Sequence, residues 1–438
     1  MYIGIDDTDS KEKYCTTYVC KLIIEKLEKK YNLDLPKLIR MNPSVKYKTR
    51  GNGGVSINIL SKKDNENNSS NNSSNNVCNL TEEDKEYIKS VVINYVEKYT
   101  DYECENTNPG IVFLDKEIYD NNENREILRN YYFKVLYDII NTEYTKKILN
   151  KINGEYIEYK KGHGIIGALG SIASIPPYTY ELLTYREKNK WGTKREIDNN
   201  SIIEMDKQTL GYTFNNVNGD KPIIAPNTKC PVLYGVRGID KNILLNTMNI
   251  IKSEKIDKYQ LFITNQGTDI NLRKLKINEI YENTGVIIYG EVSKNPENIK
   301  NIVVFEIKDN TGKINCVAYE PTKQFRNIIR NLYVGDLICV YGTIREQPKE
   351  INLEKIKIIK LAKKYIKNKK CPNCSGTLKS KGINSGYKCN SCKTVIPYNE
   401  INLIEVKRNI AEGFYEVPVG ARRHLSKPLI LYWYKIYI

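Results

Sequence analysis

The chain has 438 residues, with 68 Lys and Arg against 52 Asp and Glu, and its formal net charge is +16. At about 100–200 residues per domain this length predicts three or four domains, and hydrophobic residues (40%) are numerous enough to fill their cores. No apolar run reaches the roughly 20 residues of a membrane-spanning helix, and the opening residues are acidic where a secretory signal would be basic and then apolar. We therefore exclude a membrane protein and expect a cytoplasmic one.

The first part of the chain predicts an α/β unit. YIGID at the N-terminus is typical of a short buried strand, and apolar spacing predicts a helix from Thr16 to about Lys30. A second helix is expected after Thr81, preceded by the strand GGVSINIL. Between them, residues 61–76 are almost entirely Asn, Ser and charged residues, which cannot bury a core and predict a disordered insertion.

The middle of the chain predicts two further units. Residues 165–173 are small, apolar and interrupted by glycines, which indicates close packing against another backbone. A second α+β unit follows, with strands at 231–238 and 259–269 and a helix from about Lys241. Residues 285–365 then alternate apolar and polar in five strands, with one helix between the third and the fourth and a hairpin turn at 309–312. This layout is typical of an OB-fold barrel, with a generic small barrel as the alternative.

The C-terminal part is basic and carries a cysteine cluster. From Lys349 to Ile438 there are 19 Lys and Arg against six Glu and no Asp, which predicts affinity for polyphosphate backbones; a merely solvated surface is the alternative. Residues 361–370 are interpreted as a basic linker. Beyond it, two CxxC pairs predict a structural zinc site, with redox thiols or an iron–sulfur centre as alternatives. The cysteines are Cys371, Cys374, Cys389 and Cys392.

Two groups in the first unit predict nucleotide chemistry. Asp6, Asp7 and Asp9 follow the first strand, and carboxylates this close favour Mg²⁺, which usually brings phosphates; a solvated acidic turn is the alternative. A glycine-rich turn beside two cations predicts a phosphate cradle that is not a Walker A motif. Its residues are Lys48, Arg50, Gly51, Asn52, Gly53 and Gly54. His163, between two glycines, is a further candidate, with an ordinary structural histidine as the alternative.

These motifs together resemble one family. In chain order they are similar to those of the archaeal tRNA 2-agmatinylcytidine synthetases. The motifs are IGIDDTDS, RMNPSVKYKTRGNGGVSI, TNPGIVF, GHGIIGALGSIA, TYELLTYR, PVLYGVRG, TNQGTD, the OB-fold and the zinc ribbon. The resemblance implies an α+β multidomain protein: a kinase-like α/β domain, a ferredoxin-like domain, an OB-fold β-barrel and a C-terminal zinc ribbon. The expected boundaries are 1–160, 161–277, 278–365 and 366–438.

The resemblance also implies an activity. It is that of an AMP-forming, ATP-dependent carbon–nitrogen ligase that activates the C2 oxygen of the wobble cytidine of isoleucine tRNA (anticodon CAU) and couples agmatine there, which allows AUA to be decoded. ATP, substrate-associated Mg²⁺ and structural Zn²⁺ are the implied cofactors, and Thr16 matches the family's autophosphorylated threonine. The remaining expectations are Glu181 and Asp269 for agmatine, and Arg422, Arg423 and His424 for tRNA phosphate. A non-catalytic nucleic-acid-binding protein and a tRNA ligase with another amine remain the alternatives.

Overall fold

The computed structural model describes residues 1–10, 12–46, 51–63 and 80–433. The first part of the chain forms strands flanked by helices on both faces. Its elements are β1 (Tyr2–Asp6), α1 (Thr16–Leu27), β2 (Tyr31–Leu33), β3 (Lys37–Arg40), β4 (Gly53–Lys62), α2 (Glu82–Lys98), β5 (Gly110–Leu114), α3 (Lys116–Asp120), α4 (Asn122–Tyr137), α5 (Thr142–Lys151), β6 (Glu155–Glu158) and α6 (Gly164–Ile172).

The second part continues the same sheet. Its elements are β7 (Thr179–Arg186), α7 (Asn199–Gln208), β8 (Thr213–Phe214), β9 (Val217–Asn218), β10 (Lys221–Pro222), β11 (Val232–Gly238), α8 (Lys241–Ile250) and β12 (Ile256–Thr264). The resulting ten-stranded sheet has the order β6-β5-β1-β4-β3-β12-β7-β11-β8, with β2 paired to β4. β3 and β12 pair in parallel, and this pairing joins the two predicted domains into one sheet.

Alternation along β1 divides the first core between two layers. Ile3 and Ile5 pack with α1 and α2 on one face, whereas Gly4 meets α6 on the other. The approach of α6 is close enough to require glycine, because a Cβ on Gly54 would lie 2.3 Å from the carbonyl oxygen of Gly167. The predicted close packing of the small-residue segment is thereby confirmed.

The OB-fold prediction is confirmed. The elements are β13 (Leu272–Lys274), β14 (Gly285–Ile299), β15 (Ile302–Lys308), β16 (Lys313–Ala318), α9 (Phe325–Arg330), β17 (Leu337–Ile344) and β18 (Ile351–Lys360). β14 pairs with both β15 and β17, and β16 pairs with β18, so the five long strands close into a barrel. The predicted turn joins β15 to β16, where Asp309 accepts hydrogen bonds from the backbone N–H groups of Thr311 and Gly312 at 2.7 and 3.1 Å.

The C-terminal part forms a ribbon and then returns to the rest of the molecule. Its elements are β19 (Tyr365–Lys367), β20 (Leu378–Ser380), β21 (Tyr387–Cys389), β22 (Val395–Ile396), β23 (Leu403–Glu405), β24 (Gly413–Glu416) and α10 (Ile430–Trp433). β24 adds to the barrel beside β18, and Leu425 then inserts into the core between α6 and the large sheet. We call residues 417–433 the tail.

Two sequence-based boundaries differ from the structure. Residues 61 and 62, predicted as the start of the insertion, belong to β4 and pair with β2, because backbone pairing does not depend on side-chain polarity; residues 64–76 lie outside the described residues. The predicted linker contains β19, which pairs with β23, so it is part of the ribbon region. The boundary near residue 160 stays a prediction. Among the described helices, none combines the length and apolar character that crossing a membrane requires.

Candidate active site

One cavity of about 480 Å³ lies where the two parts of the large sheet and the tail meet. Its walls come from the ends of β1 and β3, the starts of α1 and α6, strands β7 and β11, and the tail. Of the residues predicted from the sequence, it is lined by Asp6, Asp7, Asp9, Thr16, Gly51, Asn52, Gly53, His163, Glu181 and His424. The fold thus brings together side chains that are more than 400 positions apart in the chain.

The acidic cluster lies at the end of β1, where Asp9 is buried and Asp6 and Asp7 are half-buried. Asp7 has a left-handed backbone (φ 61°), and its N–H donates to Asp6 Oδ1 at 2.7 Å, while Asn108 N–H donates to Asp7 Oδ2 at 3.0 Å. Burial raises the pKa of Asp6 to about 7, and burial together with the Asp6 charge raises the pKa of Asp7 to about 9. Neighbouring carboxyl groups with raised pKa values do not ionise readily without a cation beside them. Their oxygens are a donor set that fits Mg²⁺.

Helix α6 leaves the space that this cluster needs. A Cβ on Gly167 would lie only 1.9 Å from Asp6 Oδ2, so a side chain at this position would displace the carboxylate. The glycines of GHGIIGALG therefore serve the site as well as the packing of the helix on the sheet.

Thr16 is the first residue of α1 and lines the same cavity. The N-cap position belongs to Cys15, so the Thr16 hydroxyl is not used to cap the helix. The Thr16 hydroxyl instead accepts hydrogen bonds from the Thr8 hydroxyl at 3.1 Å and from the Thr8 N–H at 3.4 Å. The loop that carries the carboxylates therefore also fixes the position of the Thr16 hydroxyl in the cavity.

The glycine-rich turn is only partly in the cavity. Gly51, Asn52 and Gly53 line it, whereas Gly54 lies inside β4 and faces α6. Gly54 therefore permits close packing, and the structure does not bring it to the predicted phosphate cradle. Lys48 and Arg50 lie outside the described residues.

Arg40, at the end of β3, is a lining residue that sequence reasoning missed. Its Nη1 donates to the carbonyl of Gly51 at 2.7 Å, and its charge partly lowers the raised pKa of Asp6. Its buried Nε has no hydrogen-bond partner among the described residues. Arg40 stands within the RMNPSV motif, but only the sheet order, with β3 beside β4, shows that it faces the cavity.

Three further predicted residues complete the walls. His163 precedes α6, and burial, helped by the charge of Lys161, lowers its pKa. Glu181 on β7 is 2% exposed and accepts a hydrogen bond from Arg237 Nε at 2.9 Å. His424 belongs to the tail, whose backbone is fixed here because Gly267 N–H donates to the His424 carbonyl at 2.9 Å.

Three predicted residues lie elsewhere and have internal partners. Asp269 accepts hydrogen bonds from Lys355 Nζ at 2.6 Å, from the Tyr432 hydroxyl at 2.7 Å and from Lys427 N–H at 2.7 Å. Arg422 pairs with Glu416 and donates to Asn215 Oδ1 at 2.8 Å. Arg423 donates to Thr343 Oγ1 at 2.7 Å. All three fasten the tail to the barrel and the large sheet, which no local sequence pattern shows.

The cysteine cluster forms a separate site. One Sγ atom from each of the four cysteines lies within 4.8 Å of the others, with 3.5 Å between the sulfurs of Cys371 and Cys392 and between those of Cys374 and Cys389. Four converging thiolates fit a tetrahedral structural zinc ion. None of the four lines the cavity described above.

Family models match nearly the whole chain. Residues 2–190 match the TiaS TCKD domain, 162–271 the TiaS FLD domain, 286–359 an OB-fold nucleic acid binding domain and 368–410 the TiaS C-terminal zinc ribbon domain. The first two matches overlap at α6, the helix that packs on strands of the first part and precedes those of the second.

Individual proteins are similar over their full length. The tRNA 2-agmatinylcytidine synthetase TiaS of Methanocaldococcus jannaschii is 59% identical over 435 residues, 98% of each chain. The crystal structure of TiaS in complex with isoleucine tRNA and ATP is 35% identical with a TM-score of 0.84, over 100% of this chain and 97% of that one. A complex of TiaS with isoleucine tRNA, AMPCPP and agmatine is 34% identical with a TM-score of 0.81, over the same shares.

Proposed function

Because the chain belongs to the family of tRNA 2-agmatinylcytidine synthetases, we propose that it couples agmatine to the wobble cytidine of the CAU isoleucine tRNA with ATP. The product, 2-agmatinylcytidine, allows the CAU anticodon to decode AUA. We expect the reaction to take place in the cytoplasm, where the tRNA substrate is.

The observation that carries the proposal is the meeting of Asp6, Asp7 and Thr16 in one cavity with Arg40 and the Gly51–Gly53 turn. Carboxylates for a divalent cation, a hydroxyl, a guanidinium and an open glycine backbone are the parts that phosphoryl transfer from a nucleoside triphosphate requires. A protein that only binds nucleic acid has no need to gather these carboxylates, the hydroxyl and the guanidinium in one cavity.

The acidic cluster would hold Mg²⁺, with Asp9 as its third carboxylate. When bound, this ion supplies positive charge to the triphosphate. Arg40 and the glycine turn would bind the remaining phosphate oxygens, and Lys48, Arg50 and His163 stay in the proposal as further phosphate contacts. Thr16 would accept a phosphoryl group on its hydroxyl, which is held 3.1 Å from the hydroxyl of Thr8.

The chemistry of cytosine explains the need for activation. The C2 oxygen is a poor leaving group until it is phosphorylated. The primary amine of agmatine then attacks C2, the C–O bond breaks, phosphate departs with the electron pair, and the nitrogen loses one proton. Glu181 is the proposed carboxylate partner of agmatine because it lines the cavity, where its oxygens accept hydrogen bonds from Arg237 and Gln266. Asp269 does not line the cavity, and its carboxylate is bound to Lys355, Tyr432 and Lys427.

The barrel, the ribbon and the tail would bind the tRNA, since OB-folds and zinc ribbons offer basic surfaces to nucleic acid. The target base must leave the anticodon stack to reach a cavity of this kind. His424 is the tail residue proposed to act at the site, and Arg422 and Arg423 would act by fixing the tail.

Incorporation of radiolabelled agmatine into a transcript of the CAU isoleucine tRNA, with and without ATP, tests the proposal. We expect labelling that requires ATP and is lost when the wobble cytidine is replaced. Tight tRNA binding without labelling would favour either a different amine substrate, found by competition among amines, or a non-catalytic protein.

A further inference from the structure

The wall of the cavity formed by residues 223–232 is irregular from the end of β10 to the start of β11. Residues 223–228 and Cys230 line the cavity, and none of them belongs to the motifs that predicted nucleotide chemistry. An irregular segment of this length needs an external scaffold to keep one shape, because its backbone groups are not satisfied by a strand ladder.

Backbone hydrogen bonds hold Ile223, Ile224 and Pro231, and the guanidinium of Arg195 holds the carbonyls between and beside them. Arg195 Nε donates to the carbonyl of Val232 at 2.9 Å and Nη1 to that of Pro226 at 2.9 Å. Its Nη2 donates to the carbonyls of Thr228 and Cys230 at 2.8 and 3.1 Å. Every second carbonyl from 226 to 232 thus converges on Arg195, which fixes the course of the backbone along the cavity.

Arg195 is itself held in place by a second arginine. Arg186 is fully buried, pairs with Glu254 at 2.6 Å and donates to the carbonyls of Thr193 and Lys194 at 2.8 and 3.0 Å. Glu254 also accepts a hydrogen bond from Glu196 N–H at 3.0 Å. The residues on both sides of Arg195 are therefore clamped, and its guanidinium is pre-organised.

The far side of the wall reaches the loop of the acidic cluster. Lys229 Nζ lies 2.7 Å from Glu12 Oε2, and both side chains of this pair are exposed. Cys230, by contrast, is 1% exposed and packs in the core beneath α1 together with Cys15. The wall consequently spans the cavity from the second part of the sheet to the first.

The wall also offers a polar group to a ligand. Thr228 lines the cavity, and its buried hydroxyl has no hydrogen-bond partner among the described residues. A buried hydroxyl is costly to leave unpaired, so a polar ligand in the cavity would gain by pairing with it. The same residue is one of those whose carbonyl Arg195 holds.

We propose that Arg195 is a positioning residue that fixes the 226–232 wall for agmatine, an inference that rests on the proposed function. Arg40 and the glycine turn account for phosphate, which is anionic. Glu181, on the strand beside β11, is the buried carboxylate on the same side of the cavity as the wall, and agmatine is a dication. Arg195 touches neither substrate and acts through the backbone it holds.

Two matched variants test the inference. Arg195→Lys keeps the charge but loses the planar fork, so we expect the KM for agmatine to rise about 10-fold or more, with kcat and the KM for ATP within about threefold. Arg408→Lys is the control, because Arg408 donates to the carbonyls of Asn331 and Ala362 in the barrel and pairs with Asp336. It makes the same chemical change away from the cavity and should leave both KM values within about twofold.

Failure of the proposed function and failure of this inference give different results. Absence of agmatine incorporation by the unaltered chain would mean that the proposed function fails. With an active unaltered chain, an unchanged agmatine KM in Arg195→Lys, an equal rise in Arg408→Lys, or a rise confined to the KM for ATP would each overturn the inference. Should Arg195→Lys fold poorly, Arg195→Gln keeps two N–H donors without the fork; a raised KM for agmatine with an unchanged KM for ATP is again expected, and an unchanged agmatine KM contradicts the proposal.

Discussion

The cavity and the zinc ribbon are constructed in opposite ways. The ribbon gathers its four ligands from 22 consecutive residues around a small core of Cys371, Leu378, Cys389 and Ile401. The cavity gathers its side chains from β1, β3, β7 and the tail, which are fixed by the large cores of the sheet. The ribbon should therefore be lost as a fold when one ligand is lost, whereas the cavity should lose chemistry while its fold survives.

The largest effect is expected at the acidic cluster. Asp7→Asn should lower ATP-dependent agmatine incorporation by about 100- to 1,000-fold, because one carboxylate of the proposed cation site is lost. Asn also tolerates the left-handed φ of 61° at this position, so the backbone should keep its shape and the melting temperature should not fall.

Asp115→Asn is the matched control. Asp115 follows β5, pairs with Lys85 at 2.7 Å and does not line the cavity, so activity should stay within about twofold. A comparable loss in both variants would show that any removed carboxylate in this part of the chain impairs the enzyme, and would contradict the special role of Asp7.

The ribbon should respond to Cys389→Ser by unfolding. Structural zinc contributes about 10–16 kcal/mol to small zinc domains, so removing one thiolate should release the ion and weaken tRNA binding about 10-fold or more. ATP turnover without tRNA should stay within about twofold, because no described residue of the ribbon lines the cavity. Zinc content, tRNA affinity and ATP turnover are the measurements.

The control for this variant is Ser385→Ala, which lies between β20 and β21 and keeps all four thiolates. Zinc should remain at one ion per chain and tRNA affinity should be unchanged. Equal loss of tRNA binding and of tRNA-independent ATP turnover in Cys389→Ser would refute the separation of ribbon and cavity.

The two regions also differ in what the sequence could predict. The CxxC spacing and the Asp309–Gly312 turn depend on residues close in the chain, and the barrel follows from alternation within each strand, so all three were predicted correctly. For Asp269 the sequence offers only a carboxylate at the end of the TNQGTD motif, which predicts a contact with agmatine. Its partners Lys355 in β18 and Tyr432 in the tail are 86 and 163 positions away, and only the folded barrel and tail bring them to it.

Arg40, which lines the cavity, and Gly54 and Arg195, which lie behind its walls, illustrate the same limit. Arg40 lines the cavity because β3 lies beside β4. Gly54 does not, because at this position β4 is covered by α6. Arg195 donates its hydrogen bonds to backbone carbonyls, which every residue has, so no sequence pattern indicates these partners. Sequence reasoning found the chemistry-bearing side chains of the first unit but not the groups that position them.

The tail joins the two regions, and Asp269→Asn should release it. Lys355 is fully buried against Asp269, so loss of the negative charge leaves a buried cation unpaired and should lower the free energy of unfolding by about 3–5 kcal/mol. Calorimetry measures the loss. Adding Lys355→Met to Asp269→Asn removes the unpaired charge and should recover part of the stability; no recovery would argue that the hydrogen bonds to Tyr432 and Lys427 dominate instead.

The smallest expected effect is a gain in stability within the large sheet, at Lys37 on β3. Burial lowers the pKa of Lys37 to about 8, because its ammonium is held against the carbonyl of Ser174 at 3.2 Å rather than against a carboxylate. Below pH 8 the group is charged in both the folded and the unfolded chain, and the folded state bears the full desolvation cost. Between pH 8 and about 10.5 the folded chain releases the proton first, so stability rises with pH and the cost disappears.

Lys37→Met should accordingly raise the free energy of unfolding at pH 7 by about 1–2 kcal/mol, which is less than the full pKa difference because the charge also gains from the Tyr178 ring at 5.3 Å. The gain should stay constant below pH 8 and shrink toward zero by about pH 10.5. Lys29→Met, at an exposed lysine beyond α1, should show neither the gain nor its pH dependence. A gain that persists unchanged at pH 10.5 would mean that methionine stabilises the site by packing, and that burial of the Lys37 charge carries no cost.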